Sequence, residues 1–218
     1  MPGLFITLEG GEGSGKSTQA GLLKSWLSGL FSGREIIVTR EPGGTEQAEE
    51  IRNILVNGAA EKLSVQAEAL LMIAARTEHV RKIIQPALAR NAIVICDRFS
   101  DSTLVYQGLA HDQDVNMLRS IHQFGFGDVQ PDMTFVLDLP PEQGLKRAEE
   151  RLGARNTESR FEEKGLAFHT RVRDGFVKLA EGEPDRFIII DASGTPEQTD
   201  QLVKQHITNR LDPHGQPA

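Results

Sequence analysis

The chain has a single cysteine among its 218 residues, so no disulfide bond can form within it. This residue, Cys96, lies inside the apolar run AIVICD, where a thiol behaves as a small core side chain. We therefore expect a protein of a reducing compartment, and a cytoplasmic location fits. The first residues also lack the basic segment and cleavage site that mark an exported protein.

Long apolar runs and an excess of basic residues are absent as well. No stretch of about 18 consecutive apolar residues occurs, so the sequence predicts no membrane-spanning helix. The 24 Lys and Arg residues are outnumbered by 31 Asp and Glu residues, which gives a formal net charge of −7. Because nucleic-acid binding requires clustered cations, we expect no nucleic-acid partner and no membrane partner, and any phosphate group bound should be small.

Five short apolar runs alternate with helical patterns along the chain. The runs occupy residues 4–9, 35–39, 92–97, 133–139 and 186–191. They are continuous rather than alternating, as in strands that are covered on both faces. Between them, apolar residues recur at spacings of three and four, as in the predicted helical stripe Ala67, Leu70, Leu71 and Ala74. The pattern predicts an α/β domain with a parallel sheet, helices on both faces and ligands beyond the carboxyl ends of the strands.

The segment GGEGSGKS follows the first predicted strand and precedes a predicted helix. It fits the phosphate-binding pattern G-x-x-x-x-G-K-[ST] in the strand–helix context that this pattern requires. Glycines let backbone N–H groups turn toward phosphate oxygens, while Lys16 would reach the β and γ phosphates and Ser17 would bind Mg²⁺. The predicted site for a nucleoside triphosphate comprises Gly10, Gly11, Glu12, Gly13, Ser14, Gly15, Lys16, Ser17 and Thr18.

A second set of charged residues predicts a phosphoryl acceptor site. Arg40 in TREPGGT and Arg98 in CDRF directly follow predicted strands, and Arg76 lies on the third predicted helix. Cations of this kind can fix an acceptor in line with the γ-phosphate. A phosphate acceptor has a second pKa of about 6, so it is a dianion at neutral pH and needs no general base. A regulatory GTPase is disfavoured, because the chain contains no Asn-Lys pair to read guanine.

The segments EGGEGSGKST, TREPGGT, CDRFSDSTLVYQG and PDMTFVLDLPPEQGLKRAEER resemble those of thymidylate kinases, in the same order and across nearly the whole chain. The resemblance implies the three-layer fold of P-loop NTPases, with a five-stranded parallel sheet. It also implies a homodimer and Mg²⁺-dependent transfer of the γ-phosphoryl group from ATP to dTMP, a step in dTDP synthesis. One kinase domain is expected at residues 1–212, with a lid at about 147–164 and a flexible tail at 213–218.

The resemblance implies roles for individual residues of the acceptor site. Arg40 and Arg98 match residues that hold the acceptor phosphate, and Arg76 matches one that contacts thymine. Tyr106 and Gln107 match a ring beside the sugar and an amide near the base. The predicted acceptor site comprises Glu12, Arg40, Glu41, Pro42, Met72, Arg76, Arg98, Ser102, Tyr106 and Gln107, and the predicted metal ligands are Ser17 and Asp97.

Two positions differ from the usual pattern of the family. Met72 stands where a phenylalanine commonly stacks on thymine, and Gly13 stands where some members carry a basic residue. The resemblance implies that members without this basic residue supply the transition-state charge from the lid. The predicted catalytic residues are therefore Lys16, Arg98, Arg155 and Arg160.

Other functions remain open on the sequence alone. In a deoxynucleoside kinase, Glu41 would be a general base on a sugar hydroxyl, whereas Arg40 and Arg98 suit a charged acceptor better. Another nucleoside monophosphate kinase is also compatible with the motifs. A noncatalytic nucleotide-binding protein would keep the P-loop but would need no acceptor arginines.

Overall fold

The computed structural model describes residues 2–56, 63–152 and 164–211. Five parallel strands form one sheet in the order β2–β3–β1–β4–β5. The strands are β1 (Leu4–Glu9), β2 (Ile36–Arg40), β3 (Ile93–Asp97), β4 (Met133–Asp138) and β5 (Phe187–Asp191). The predicted five-stranded parallel sheet is therefore confirmed. Because β1 is central, the loop that follows it emerges at the middle of the sheet edge.

The described residues also form helices on both faces of this sheet. They are α1 (Lys16–Leu30), α2 (Glu46–Val56), α3 (Val65–His79), α4 (Gln85–Ala89), α5 (Ser100–Thr103), α6 (Val115–Phe126), α7 (Pro141–Leu152), α8 (Leu166–Gly182) and α9 (Pro196–Arg210). A π-helical turn at Val80–Ile84 joins α3 to α4, and another at Leu104–Gly108 follows α5. Within this part of the chain, no helix combines the length and apolarity needed to cross a bilayer.

The central strand shows why the apolar runs are continuous. Leu4, Ile6 and Leu8 pack on one face with Leu23 of α1 and residues of α9, whereas Phe5 packs on the opposite face. Every side chain of β1 is buried, because helices cover both sides of the sheet. The core thiol is confirmed too, since Cys96 is fully buried.

The predicted buried face of α3 is wrong. Leu70 is 54% exposed and Ala74 is exposed, while the helix buries its other side. That side carries Glu68, Ala69, Met72, Ile73, Ala75, Arg76 and His79. Apolar spacing alone selects the wrong face here, because the buried charged residues find their partners in loops that are distant along the sequence.

Candidate active site

The loops after β1, β2 and β3 meet at one cavity at the carboxyl edge of the sheet, as predicted. The cavity has a volume of ≈ 540 Å³. Predicted residues that line it are Glu12, Gly13, Ser14, Gly15, Lys16, Ser17, Thr18, Arg40, Glu41, Pro42, Met72, Arg76, Asp97, Arg98, Ser102, Tyr106 and Gln107. Gly10 and Gly11 lie in the same P-loop without lining the cavity, and Arg155 and Arg160 lie outside the described residues.

The P-loop has a backbone shape that requires glycine. Gly13 adopts φ +68°, and a Cβ atom there would lie 2.1 Å from the carbonyl oxygen of Gly144 in α7. Lys16 folds back over this loop, donating to Gly10 O at 3.2 Å and to Gly11 O at 2.8 Å. Helix α1 begins at Lys16, so the backbone N–H groups of its first turn lie at the cavity. This arrangement has the geometry that favours an anion at the N-terminus of α1.

The carboxylate of Glu12 interacts with two cations of the cavity, Arg98 and Lys16. Glu12 Oε1 accepts hydrogen bonds from Arg98 Nη2 at 2.7 Å and from Tyr106 Oη at 3.0 Å. Burial opposes ionisation of Glu12, but Arg98 and then Lys16 outweigh it and lower its pKa to about 2. Burial, followed by the charge of Arg98, lowers the pKa of Lys16 to about 8. Glu12 is thus an ionised, acceptor-only group at neutral pH.

Arg98 connects the P-loop to the turn after β3. Its Nη1 atom donates to Gly10 O at 3.0 Å and to Ser102 Oγ at 3.2 Å. Its guanidinium carbon lies 4.9 Å from the centre of the Tyr106 ring, within the range of a cation–π contact. The residue adopts φ +67°, a left-handed conformation that few side chains other than glycine adopt. The turn therefore points the guanidinium into the cavity.

Glu9, which belongs to no recognised motif, holds the turn after β3 through Phe99 and Ser102. Its Oε1 atom accepts from the Phe99 N–H at 2.8 Å, and its Oε2 atom accepts from Ser102 Oγ at 2.6 Å. Burial, and then the nearby carboxylate of Asp101, raises the pKa of Glu9 to about 7. A glutamate at the end of an apolar strand gives no sequence signal for this role, because its partners lie about 90 residues further along the chain.

Glu41 holds the side chain of Arg76. Glu41 Oε2 accepts from Arg76 Nε at 2.5 Å, while Oε1 contacts His79 Nδ1 at 2.8 Å. The other ring nitrogen of His79 lies 2.7 Å from Thr39 Oγ1. Arg40 is held differently, because it pairs with Glu49 at 3.1 Å and its side chain is 48% exposed. The two arginines near Glu41 therefore have separate supports.

A possible metal centre at Glu41, His79 and Cys96 does not fit the donor chemistry. Their donor atoms lie within 4.8 Å of one another. However, both oxygens of Glu41 already contact Arg76 and His79. Burial, and then the charge of Glu41, raises the pKa of Cys96 well above its usual range, whereas a metal ligand must be a thiolate. The cluster supports the loop after β2 by hydrogen bonds.

Arg76 and Met72 line the cavity from α3. Arg76 is almost fully buried, and it also donates from Nη1 to Thr103 Oγ1 at 3.0 Å and from Nη2 to Phe99 O at 2.9 Å. These contacts fix a planar, donor-only group at the cavity wall. Met72 is largely buried beside it.

The other end of the cavity contains a hydroxyl–carboxylate pair and an arginine. Ser17 Oγ donates to Asp97 Oδ2 at 2.5 Å, which brings together the two predicted metal ligands. Arg147, which is not among the predicted site residues, donates to the carbonyl oxygens of Ala192 and Ser193 at 3.0 Å each. Cavity-lining residues that the sequence analysis missed are Arg52, Val56, Thr103, Arg147, Gly194 and Pro196. Most follow no recognised motif, so only the tertiary structure reveals them.

Comparisons with known proteins agree on one family. The family model described as thymidylate kinase matches residues 8–203. A thymidylate kinase of Caulobacter vibrioides is 47% identical over 209 residues, covering 96% of this chain and 98% of the relative. One of Geobacter sulfurreducens is 44% identical over 211 residues, covering 96% and 98%. A crystal structure of thymidylate kinase from Ehrlichia chaffeensis has a TM-score of 0.75 and 35% identity, covering 94% of this chain and 99% of that one. The chain belongs to the thymidylate kinase family.

Proposed function

We propose that this protein transfers the γ-phosphoryl group of ATP to dTMP and so forms dTDP. The observation that carries this proposal is that Arg98, inside the cavity, bonds both to the P-loop carbonyl of Gly10 and to Glu12. These hydrogen bonds join the expected triphosphate site to an arginine-lined second site in the same cavity. Membership of the thymidylate kinase family supports dTMP as the acceptor and ATP as the donor.

On the donor side, Lys16 and the first turn of α1 would bind the phosphates. The lysine ammonium now contacts two carbonyl oxygens, so phosphate oxygens would replace neutral partners by charged ones. Phosphoryl transfer depends mainly on positioning and on neutralising the charge of the transferred group. A fixed ammonium group at the β and γ phosphates provides both.

On the acceptor side, the phosphate of dTMP is itself the nucleophile. Its dianion exists at neutral pH, because its second pKa is about 6. Arg98 would fix this dianion and Arg40 would add a second cation. Glu12 is ionised and can accept a hydrogen bond from a sugar hydroxyl, and the Tyr106 ring lies against Arg98 at the sugar end. No residue is required to remove a proton.

Magnesium ion is a proposed cofactor. Ser17 and Asp97 offer a hydroxyl and a carboxylate oxygen, and Mg²⁺ prefers hard oxygen ligands of this kind. When bound with ATP, Mg²⁺ neutralises charge on the phosphate oxygens.

The lid arginines Arg155 and Arg160 remain a proposal drawn from the family resemblance, as do the domain limits, the lid and the tail. Cytoplasmic location and the absence of a nucleic-acid partner also remain predictions from composition.

A homodimer is proposed through α3 and α6. These helices pack against each other, and each exposes a large apolar side chain, Leu70 at 54% and Phe124 at 92%. A second copy of the chain would bury these residues.

We expect Phe124→Asp to give a monomer where the wild type is a dimer, as measured by light scattering. The control Leu202→Asp, on the exposed side of α9, should stay dimeric. A monomeric wild type would contradict the proposal.

The proposed function is tested by measuring ADP release with ATP and one acceptor at a time. We expect dTMP to be used with the highest kcat/KM among dTMP, dCMP, dGMP and thymidine. Preference for thymidine would instead indicate a deoxynucleoside kinase. ATP binding without phosphorylation of any acceptor would indicate a noncatalytic nucleotide-binding protein.

A further inference from the structure

The amide of Gln107 is fixed by a buried carboxylate. Gln107 Nε2 donates to Glu68 Oε1 at 2.6 Å. The two residues are 2% and 4% exposed, respectively. Gln107 lines the cavity, as do Met72 and Arg76, whereas Glu68 does not. Glu68 therefore contacts the cavity lining through the Gln107 amide that it holds.

The chemistry of the pair fixes which way the amide faces. Glu68 Oε1 accepts the hydrogen bond from Gln107 Nε2, so rotating the amide by 180° would place Gln107 Oε1 against Glu68 Oε1. In a buried setting, two facing acceptors without a proton are costly. Within the part of the chain that the structure describes, Gln107 Oε1 has no hydrogen-bond partner. This oxygen and the second N–H of the amide can therefore form hydrogen bonds with a ligand in the cavity.

We propose that Glu68 is a positioning residue that sets the base selectivity of the acceptor site by fixing the orientation of the Gln107 amide. This inference rests on the proposed function. An acceptor oxygen beside an N–H donor complements the N3–H and O4 of thymine or uracil. Cytosine presents the reverse pattern, an N3 lone pair beside a 4-amino group, so it requires the rotated amide that Glu68 prevents.

Arg76 acts in the same direction. Its guanidinium is donor-only and is held by Glu41, so it favours a carbonyl such as O4 over an amino group. Releasing the amide should therefore weaken discrimination against cytosine without removing it. A site that leaves its own buried polar groups unpaired with the wrong ligand discriminates more strongly than a purely apolar site.

The variant Glu68→Gln tests the proposal. It keeps the size of the side chain but offers both a donor and an acceptor, so the Gln107 amide can face either way. We expect the ratio of kcat/KM for dCMP to that for dTMP to rise at least about tenfold, the scale of one buried hydrogen bond. The ratio for dUMP to dTMP should stay unchanged, because both bases present N3–H and O4. The control is Glu78→Gln, on the same helix as Glu68. It alters a partly exposed ion pair with Lys82 and should change neither ratio.

The inference would be overturned by an unchanged dCMP to dTMP ratio in folded Glu68→Gln, whether activity is retained or falls equally with all three monophosphates. If this variant does not fold, Gln107→Met decides, because it removes both polar atoms of the amide while keeping a similar volume. A dCMP to dTMP ratio as low as that of the wild type in that variant would also overturn it. The wild type is assayed first with dTMP. Absence of turnover there refutes the proposed function itself, whereas an active wild type with an unchanged ratio in the variant refutes only the role of Glu68.

Discussion

Replacing Lys16 by alanine should lower the rate of dTMP phosphorylation at least about a thousandfold, on the scale found for a cation at the transferred phosphoryl group. The ammonium group is a point charge held by the carbonyl oxygens of Gly10 and Gly11, and no other described cation reaches both of these atoms. The fold should survive, because these contacts lie within one loop and at the cavity wall. Loss of a partly desolvated charge also removes its desolvation cost.

Single-turnover rates with excess enzyme separate this effect from slow product release. The melting temperature of the variant, measured alongside, should stay within a few degrees of the wild type, since no core side chain is removed. Lys24→Ala is the matched control, because Lys24 lies on the exposed side of the same helix α1. The control should have the wild-type rate. A folded Lys16→Ala variant with near-normal turnover would contradict the assignment of the P-loop.

The main features of the donor site could be predicted because its signal is local. The phosphate-binding motif occupies eight consecutive positions, residues 10–17. The strand before it and the helix after it can also be predicted from the local sequence. The positions of Arg40 and Arg98 after strands also predicted convergence at one sheet edge, since carboxyl ends of parallel strands lie together. In each case the chain direction and the residue type were sufficient.

The supports of the acceptor site could not be predicted in the same way. Glu68 and Gln107 are 39 residues apart, and Glu41 and His79 are 38 apart. Each pair forms because two segments meet in the folded state, and a buried charged residue in a helix reads as a solvated one until its partner is known. The same ambiguity reversed the predicted face of α3, where Leu70 is exposed.

Replacing Arg98 by alanine should damage use of dTMP far more than binding of ATP. Arg98 contacts Glu12, Ser102 and the ring of Tyr106, which are groups of the predicted acceptor side. Without Arg98, less positive charge lies near the buried Glu12 carboxylate. Burial, the largest influence on the pKa of Glu12, raises it and is then opposed mainly by Lys16. The acceptor site then loses a cation and also keeps an unbalanced anion, which repels an incoming phosphate dianion.

The expected result is a fall in kcat/KM for dTMP of at least about a thousandfold, the combined scale of a lost charged hydrogen bond and of misplaced reacting groups. The Kd of ATP, measured by calorimetry, should change by no more than about threefold, because Arg98 reaches the P-loop through the Gly10 carbonyl oxygen and the Glu12 carboxylate rather than through Lys16 or the backbone N–H groups expected to bind the phosphates. Arg98→Lys should recover part of the activity, since it restores the charge without the planar fork of donors. Arg90→Ala, which removes an exposed arginine paired with Glu35, is the matched control and should behave as the wild type. Loss of ATP affinity with unchanged dTMP affinity in Arg98→Ala would show that the division into donor and acceptor sides is wrong, because Arg98 would then serve the triphosphate.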